Sequence, residues 1–74
     1  MMEVKGKKIS VIGAARSGVG AARLVKRLGG IPFVSDLGPE EKIYDAVNHL
    51  EMENINFEFG GHSDRVYEST LMIV

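Results

Sequence analysis

The sequence predicts an α/β fold, a parallel sheet with helices on both faces in the order β-α-β-α-β-α-β. Three observations predict it. Four short runs of β-branched, aromatic or other apolar residues are punctuated by glycine, proline, aspartate or asparagine. Two longer stretches between them carry apolar residues at helical spacing. The links are only a few residues long, as in strand–helix–strand units with right-handed crossovers.

Ile9-Ser10-Val11-Ile12-Gly13 is the first strand, closed by its glycine. Ser17 to Leu28 is the first helix, with Ala21, Leu24, Val25 and Leu28 as its apolar stripe and Arg23, Lys26 and Arg27 on the other side. Those bases suit the negative end of the helix dipole, and Gly29-Gly30 stop the helix. Ile31 to Ser35 is the second strand. Pro32 has no N–H for a ladder, so it belongs at the strand's start or on an edge. After the turn Asp36-Leu37-Gly38, Pro39 opens a second helix where a missing N–H costs nothing, with the stripe Ile43, Ala46, Val47 and Leu50. Glu53-Asn54 connects to Ile55–Phe59, whose alternation fits a strand with one wet face, Phe57 and Phe59 turning to the core. Gly60-Gly61 is a turn. Ser63 can cap a short helix from Asp64 to Ser69, and Tyr44 and Tyr67 read as half-buried packing. Leu71-Met72-Ile73-Val74 is an unbroken apolar run, expected to be a strand covered on both faces. A chain stopping inside such a strand, at a length where one core rarely supplies more than about 3–5 kcal/mol, is expected to be part of a larger domain.

Nine basic and ten acidic side chains leave a net charge of −1, which excludes a broad field for nucleic acid or an anionic membrane. No apolar run approaches the roughly 20 residues of a membrane span. No secretory pattern follows Met1–Lys8, and there is no cysteine. The expectation is a cytoplasmic protein with no nucleic-acid or membrane partner. No spacing suggests a metal site, a Ser–His–Asp triad or a G-x-x-x-x-G-K-[ST] loop for ATP, so no catalytic residue is expected within these residues.

The most informative stretch is Gly13-Ala14-Ala15-Arg16-Ser17-Gly18, a G-x-A-x-x-G variant of the phosphate loop of Rossmann-like domains. Gly13 turns the chain out of the strand, and Gly18 lets the helix pack closely. The first N–H groups of the helix then face an incoming phosphate, with the Ser17 hydroxyl and the Arg16 charge able to add to them. Ala15 replaces the glycine that lets a dinucleotide pyrophosphate approach most closely, so the loop suits a phosphate-bearing ligand better than NAD specifically. Asp36 stands 23 residues after Gly13, at the carboxyl edge. It either accepts from ribose hydroxyls or a base N–H, or only stabilises its turn. His62, beside the next turn, is read as structural before it is read as a ligand contact, and His49 as solvated.

Lys5-Gly6-Lys7-Lys8, then Val11-Ile12-Gly13 through Ser17-Gly18, resembles the opening of the Mur ligases. Gly29-Gly30 to Val34-Ser35-Asp36 resembles that family's second strand, and Phe59-Gly60-Gly61-His62 its G-x-H turn. The likeness extends over essentially the whole chain and is strongest to the D-glutamate-adding branch. It implies that residues 1–74 form the amino-terminal domain of a three-domain, monomeric ligase of peptidoglycan synthesis, which binds the UDP part of UDP-N-acetylmuramoyl-L-alanine. Gly13, Ala15, Arg16, Ser17 and Gly18 would approach the diphosphate and uracil. Asp36 would take the uracil N–H, and Leu37 would add a backbone or packing contact, since Leu37-Gly38 stands where some members have Thr-Arg. ATP and magnesium would belong to the absent central and carboxy-terminal domains. Two other readings stay open. One is an NAD(P)- or FAD-binding domain of an oxidoreductase or nucleotide-sensing regulator. The other is an interaction domain without a small ligand.

Overall fold

A computed structural model describes residues 4–14, 16–38 and 44–73, with the side chains of Arg16, Ser17 and Tyr44 left undescribed. The elements are β1 (Lys8–Ile12), α1 (Arg16–Arg27), β2 (Ile31–Asp36), α2 (Tyr44–Met52), β3 (Asn56–Phe59), a 3-10 helix (Asp64–Glu68) and β4 (Leu71–Ile73). All strand pairs are parallel, in the order β3-β2-β1-β4. The chain thus steps outward from β1 to β3, then returns to the far side of β1. That reversal places a crevice at the carboxyl ends of β1 and β4, where open α/β sheets hold their ligands.

Register divides the side chains between two faces. Ile9 and Val11 share a face with Pro32, Val34, Phe57, Phe59, Leu71 and Ile73. Both α-helices cover it. Val11, Ala14, Ala22, Val34, Leu50 and Ile55 form the main cluster, and Val4, Ile9 and Val25 a second one. The other face carries Ser10, Phe33, Ser35, Glu58 and Met72, and the 3-10 helix crosses it. Helical segments therefore lie on both faces, as expected, but two full helices stand against one short turn. Ser10, fully buried, fastens that turn: its hydroxyl donates to the Val66 carbonyl at 2.9 Å and meets the Ser69 hydroxyl. Val66 is buried beneath it, and the Arg65 guanidinium lies 4.3 Å above the Phe33 ring.

Both helices end on a left-handed residue, Gly29 at φ 91° and Asn54 at φ 57°. The Gly30 N–H then reaches back to the Val25 carbonyl, and the Ile55 N–H to that of Leu50. These are Schellman closures, which satisfy carbonyls that a helix end otherwise orphans. Asn54, read as mere connector, is a helix stop. The Ser63 cap is present: its hydroxyl accepts from the Arg65 N–H at 3.2 Å.

Several expectations need correction. Leu24 and Leu28 are 55% and 54% exposed, while Val19, Ala22 and Val25 are the buried positions of α1. The helix is rotated because Gly18 must lie against the end of β1, and this brings the residues four and seven places later inward with it. Met72 is 45% exposed, and β4 lies at the edge of the sheet that the described residues form. Tyr67 is 78% exposed rather than half-buried. Phe57 and Phe59 pack against the main cluster but are only partly buried, their ring centroids 5.0 Å apart. Pro32, buried, stands at the start of β2 as expected and costs no ladder bond. The Ile31 N–H faces β1, where it donates to the Lys7 carbonyl, so the Pro32 nitrogen faces β3, whose pairing begins only at Phe33. The expected start of the second helix at Pro39, and Ile43 in its stripe, fall outside the described residues.

Candidate functional site

The carboxyl edge is built from the turns that follow β1, β2 and β3. After β1, Gly13 takes φ 101°, and its N–H donates to the Ser35 carbonyl of β2 at 2.8 Å. The helix then starts at once and runs back across the sheet. Gly18 sits where no side chain fits: a Cβ there would lie 2.0 Å from the Gly13 carbonyl oxygen. This contact holds the amino end of α1 against the end of β1. The first turn of α1 contains no acid, so its positive end is not neutralised from within that turn.

Asp36, the last residue of β2, ties the three turns together. One carboxylate oxygen accepts from the Ala14 N–H and the other from the Gly38 N–H, both at 2.6 Å. Its main-chain carbonyl accepts from Gly61, and the Gly38 carbonyl from Gly60. The bonds from Ala14 and Gly38 hold its carboxyl below the ordinary range. Partial burial opposes them, and the nearby His62 acts in their favour. Each oxygen keeps a lone pair for a further donor, since an ionised carboxylate offers about four acceptor positions. Turn-stabilising and ligand-facing roles are thus compatible in one side chain.

Beside Asp36, Ser35 is fully buried on the opposite face of the sheet. Its hydroxyl lies 2.6 Å from Glu58 Oε2 and 2.5 Å from His62 Nδ1. Glu58 Oε2 also accepts from the Ser63 N–H at 2.8 Å. Partial burial works to raise the Glu58 carboxyl, but the bonds from Ser35 and Ser63, with the charge of Arg65, outweigh it and leave the group below its ordinary range.

Both lowered carboxyls bind protons more readily when the chain is unfolded. Their stabilisation is present above the ordinary values of 3.8 for Asp36 and 4.5 for Glu58, and is lost as pH falls through the lower folded values. Melting temperature is therefore expected to fall steadily from about pH 5 to about pH 3. The fall should be shallower in Asp36→Asn and Glu58→Gln, and equal slopes in wild type and both variants would exclude these two groups as the cause.

Of the residues singled out from sequence, Gly13, Gly18, Asp36 and Leu37 stand on this edge, Leu37 with 69% of its surface exposed. Ala15 and the side chains of Arg16 and Ser17 lie outside the described residues. Sequence reasoning missed Ser35 and Glu58, whose pairing is set by the register of β2 against β3. The available signal was a serine preceding the edge aspartate and an acid on the wet side of the third strand. Among the described residues no group of three or more potential ligands could hold a metal ion, and no helix is long and apolar enough to cross a membrane.

No protein-family model matches the chain. It is similar to proteins named UDP-N-acetylmuramoylalanine–D-glutamate ligase. It is 49% identical over 72 residues to that of Chlorobaculum tepidum, 44% over 73 to that of Pelodictyon phaeoclathratiforme and 38% over 73 to that of Geotalea daltonii. These alignments cover 97–99% of this chain but 15–16% of the relatives, so the chain spans about one-sixth of their length. Near-complete coverage at this identity, across the loop, the edge aspartate and the turn after β3, makes the chain a member, over the residues it spans, of the D-glutamate-adding branch of the Mur ligases.

Proposed function

We propose that this chain is the amino-terminal, uridine-nucleotide-holding domain of a cytoplasmic, ATP-dependent ligase that adds D-glutamate to UDP-N-acetylmuramoyl-L-alanine. The observation that carries the reading is the likeness to ligases of that name over 97% of the chain, with its loop and Asp36 meeting on one edge. The loop from Gly13 to Gly18 takes the diphosphate at the amino end of α1. The Asp36 carboxylate accepts the uracil N–H, and Leu37 packs beside the ring. In this role the domain contributes proximity: it anchors the nucleotide so that the distant alanine carboxyl is presented to the rest of the enzyme. In this reading ATP and magnesium are held by the central and carboxy-terminal domains of the full-length protein.

The test is calorimetric titration of the full-length protein with UDP-N-acetylmuramoyl-L-alanine and, in parallel, with NAD. Binding of the uridine nucleotide alone is expected. Binding of NAD alone would replace this reading with that of an oxidoreductase domain, and binding of neither would favour an interaction domain.

A further inference from the structure

We propose that His62 is a further ligand-holding residue of this edge, fixed by Ser35 and Glu58 so that its Nε2 accepts a hydrogen bond from a ribose hydroxyl of the nucleoside. The inference rests on the nucleotide reading above and extends it to a residue on β3's turn. Ser35 has one hydroxyl hydrogen and two neighbours, Glu58 Oε2 at 2.6 Å and His62 Nδ1 at 2.5 Å. Glu58 is an ionised carboxylate that already accepts the Ser63 N–H, so it can only accept. The Ser35 proton therefore goes to Glu58, and the Ser35 oxygen accepts from His62 Nδ1–H. A neutral ring with its proton on Nδ1 carries a bare lone pair on Nε2. Its partner thus fixes both the ring's tautomer and its orientation, as outer partners do for functional imidazoles.

Position supplies the rest. The turn carrying His62 is clamped to the turn carrying Asp36 and Leu37, through Gly60 N–H to the Gly38 carbonyl at 3.0 Å and Gly61 N–H to the Asp36 carbonyl at 3.3 Å. The ring is exposed while the serine holding it is fully buried, so a rigid anchor presents an open acceptor. A latch that only closed the turn would need Nδ1 alone.

Two substitutions separate these roles. His62→Asn keeps an amide near the position of Nδ1 and can still reach Ser35, but has nothing at Nε2. His62→Gln places an amide oxygen near Nε2 and gives up Ser35. Affinity of the full-length protein for UDP-N-acetylmuramoyl-L-alanine is expected to fall about tenfold in His62→Asn, the scale of one lost hydrogen bond, with melting temperature kept. His62→Gln should recover part of the affinity. Wild-type affinity in His62→Asn would overturn the proposal. Failure of the wild-type protein to bind any uridine nucleotide would instead remove the underlying reading. UDP analogues identify the donor: the penalty should vanish with 2′-deoxy-UDP or with 3′-deoxy-UDP, according to which hydroxyl is the partner. A penalty that persists undiminished in both would overturn the assignment of Nε2 as an acceptor.

Discussion

Gly18→Val is expected to cost about 3 kcal/mol or more, at the upper end for overpacking a close contact. A Cβ at this position would lie 2.0 Å from the Gly13 carbonyl oxygen and 3.0 Å from its carbon, and both are backbone atoms that cannot rotate away. Relief requires α1 to lift from the end of β1. That movement withdraws Val19, Ala22 and Val25 from the core and displaces the N–H groups proposed to face the diphosphate. Stability and nucleotide affinity should fall together. Urea denaturation followed by circular dichroism gives the check, with Gly20→Ala as its control. A Cβ at Gly20 meets nothing within 4 Å, so there the helix preference of alanine should leave stability unchanged or slightly raised. If Gly18→Ala unfolded at the same urea concentration as wild type, the close approach of α1 to β1 would be refuted.

Asp36→Ala carries the second large effect. It removes the acceptor of two backbone N–H groups, Ala14 and Gly38, and so releases the β1 turn from the β2 turn. Charge-assisted bonds at a partly exposed edge set the expected loss at about 2 kcal/mol. Position at the mouth of the sheet suggests that the change would spare stability; the two backbone bonds show why it will not. In the full-length protein, affinity for UDP-N-acetylmuramoyl-L-alanine should fall more than tenfold, because the proposed uracil acceptor and the shape of the loop go at once. Asp36→Asn tells the two contributions apart. It keeps one acceptor oxygen but turns an NH2 group toward a backbone donor. Binding unchanged in both variants, measured where each remains folded, would remove Asp36 from the nucleotide site.

Much of this was legible because the governing signals are local. A β-branched run closed by Gly13, the bases and glycines ending α1, and the alternation before Gly60 each depend on a few neighbouring residues. The loop and the edge aspartate were legible because strand–turn–helix spacing places both on one rim. The rotation of α1 was not. Ala21, Leu24 and Leu28 make as good a stripe as Val19, Ala22 and Val25, and only the contact between Gly18 and Gly13 chooses. Nor was the Ser35–Glu58–His62 cluster, which needs two strands in one particular register. Tyr67 misled because an aromatic ring's apolar character shows what burial would stabilise, and not whether its position on the 3-10 helix faces the sheet.

The return of the chain to the far side of β1 also bears on how the molecule assembles. Lys8 meets Ile31, and Phe33 meets Asn56, each 23 positions apart, whereas Ile9 meets Leu71 across 62. Closing the longer span costs only about 0.9 kcal/mol more chain entropy, which the bonds from Ser10 and the short β4 ladder readily offset. The larger consequence is kinetic, because distant pairings slow folding more than they weaken the folded state. The unit from β1 to β3 can form from near neighbours. The crevice beside β4 is completed only when a segment 62 positions away returns to the strand from which the sheet began.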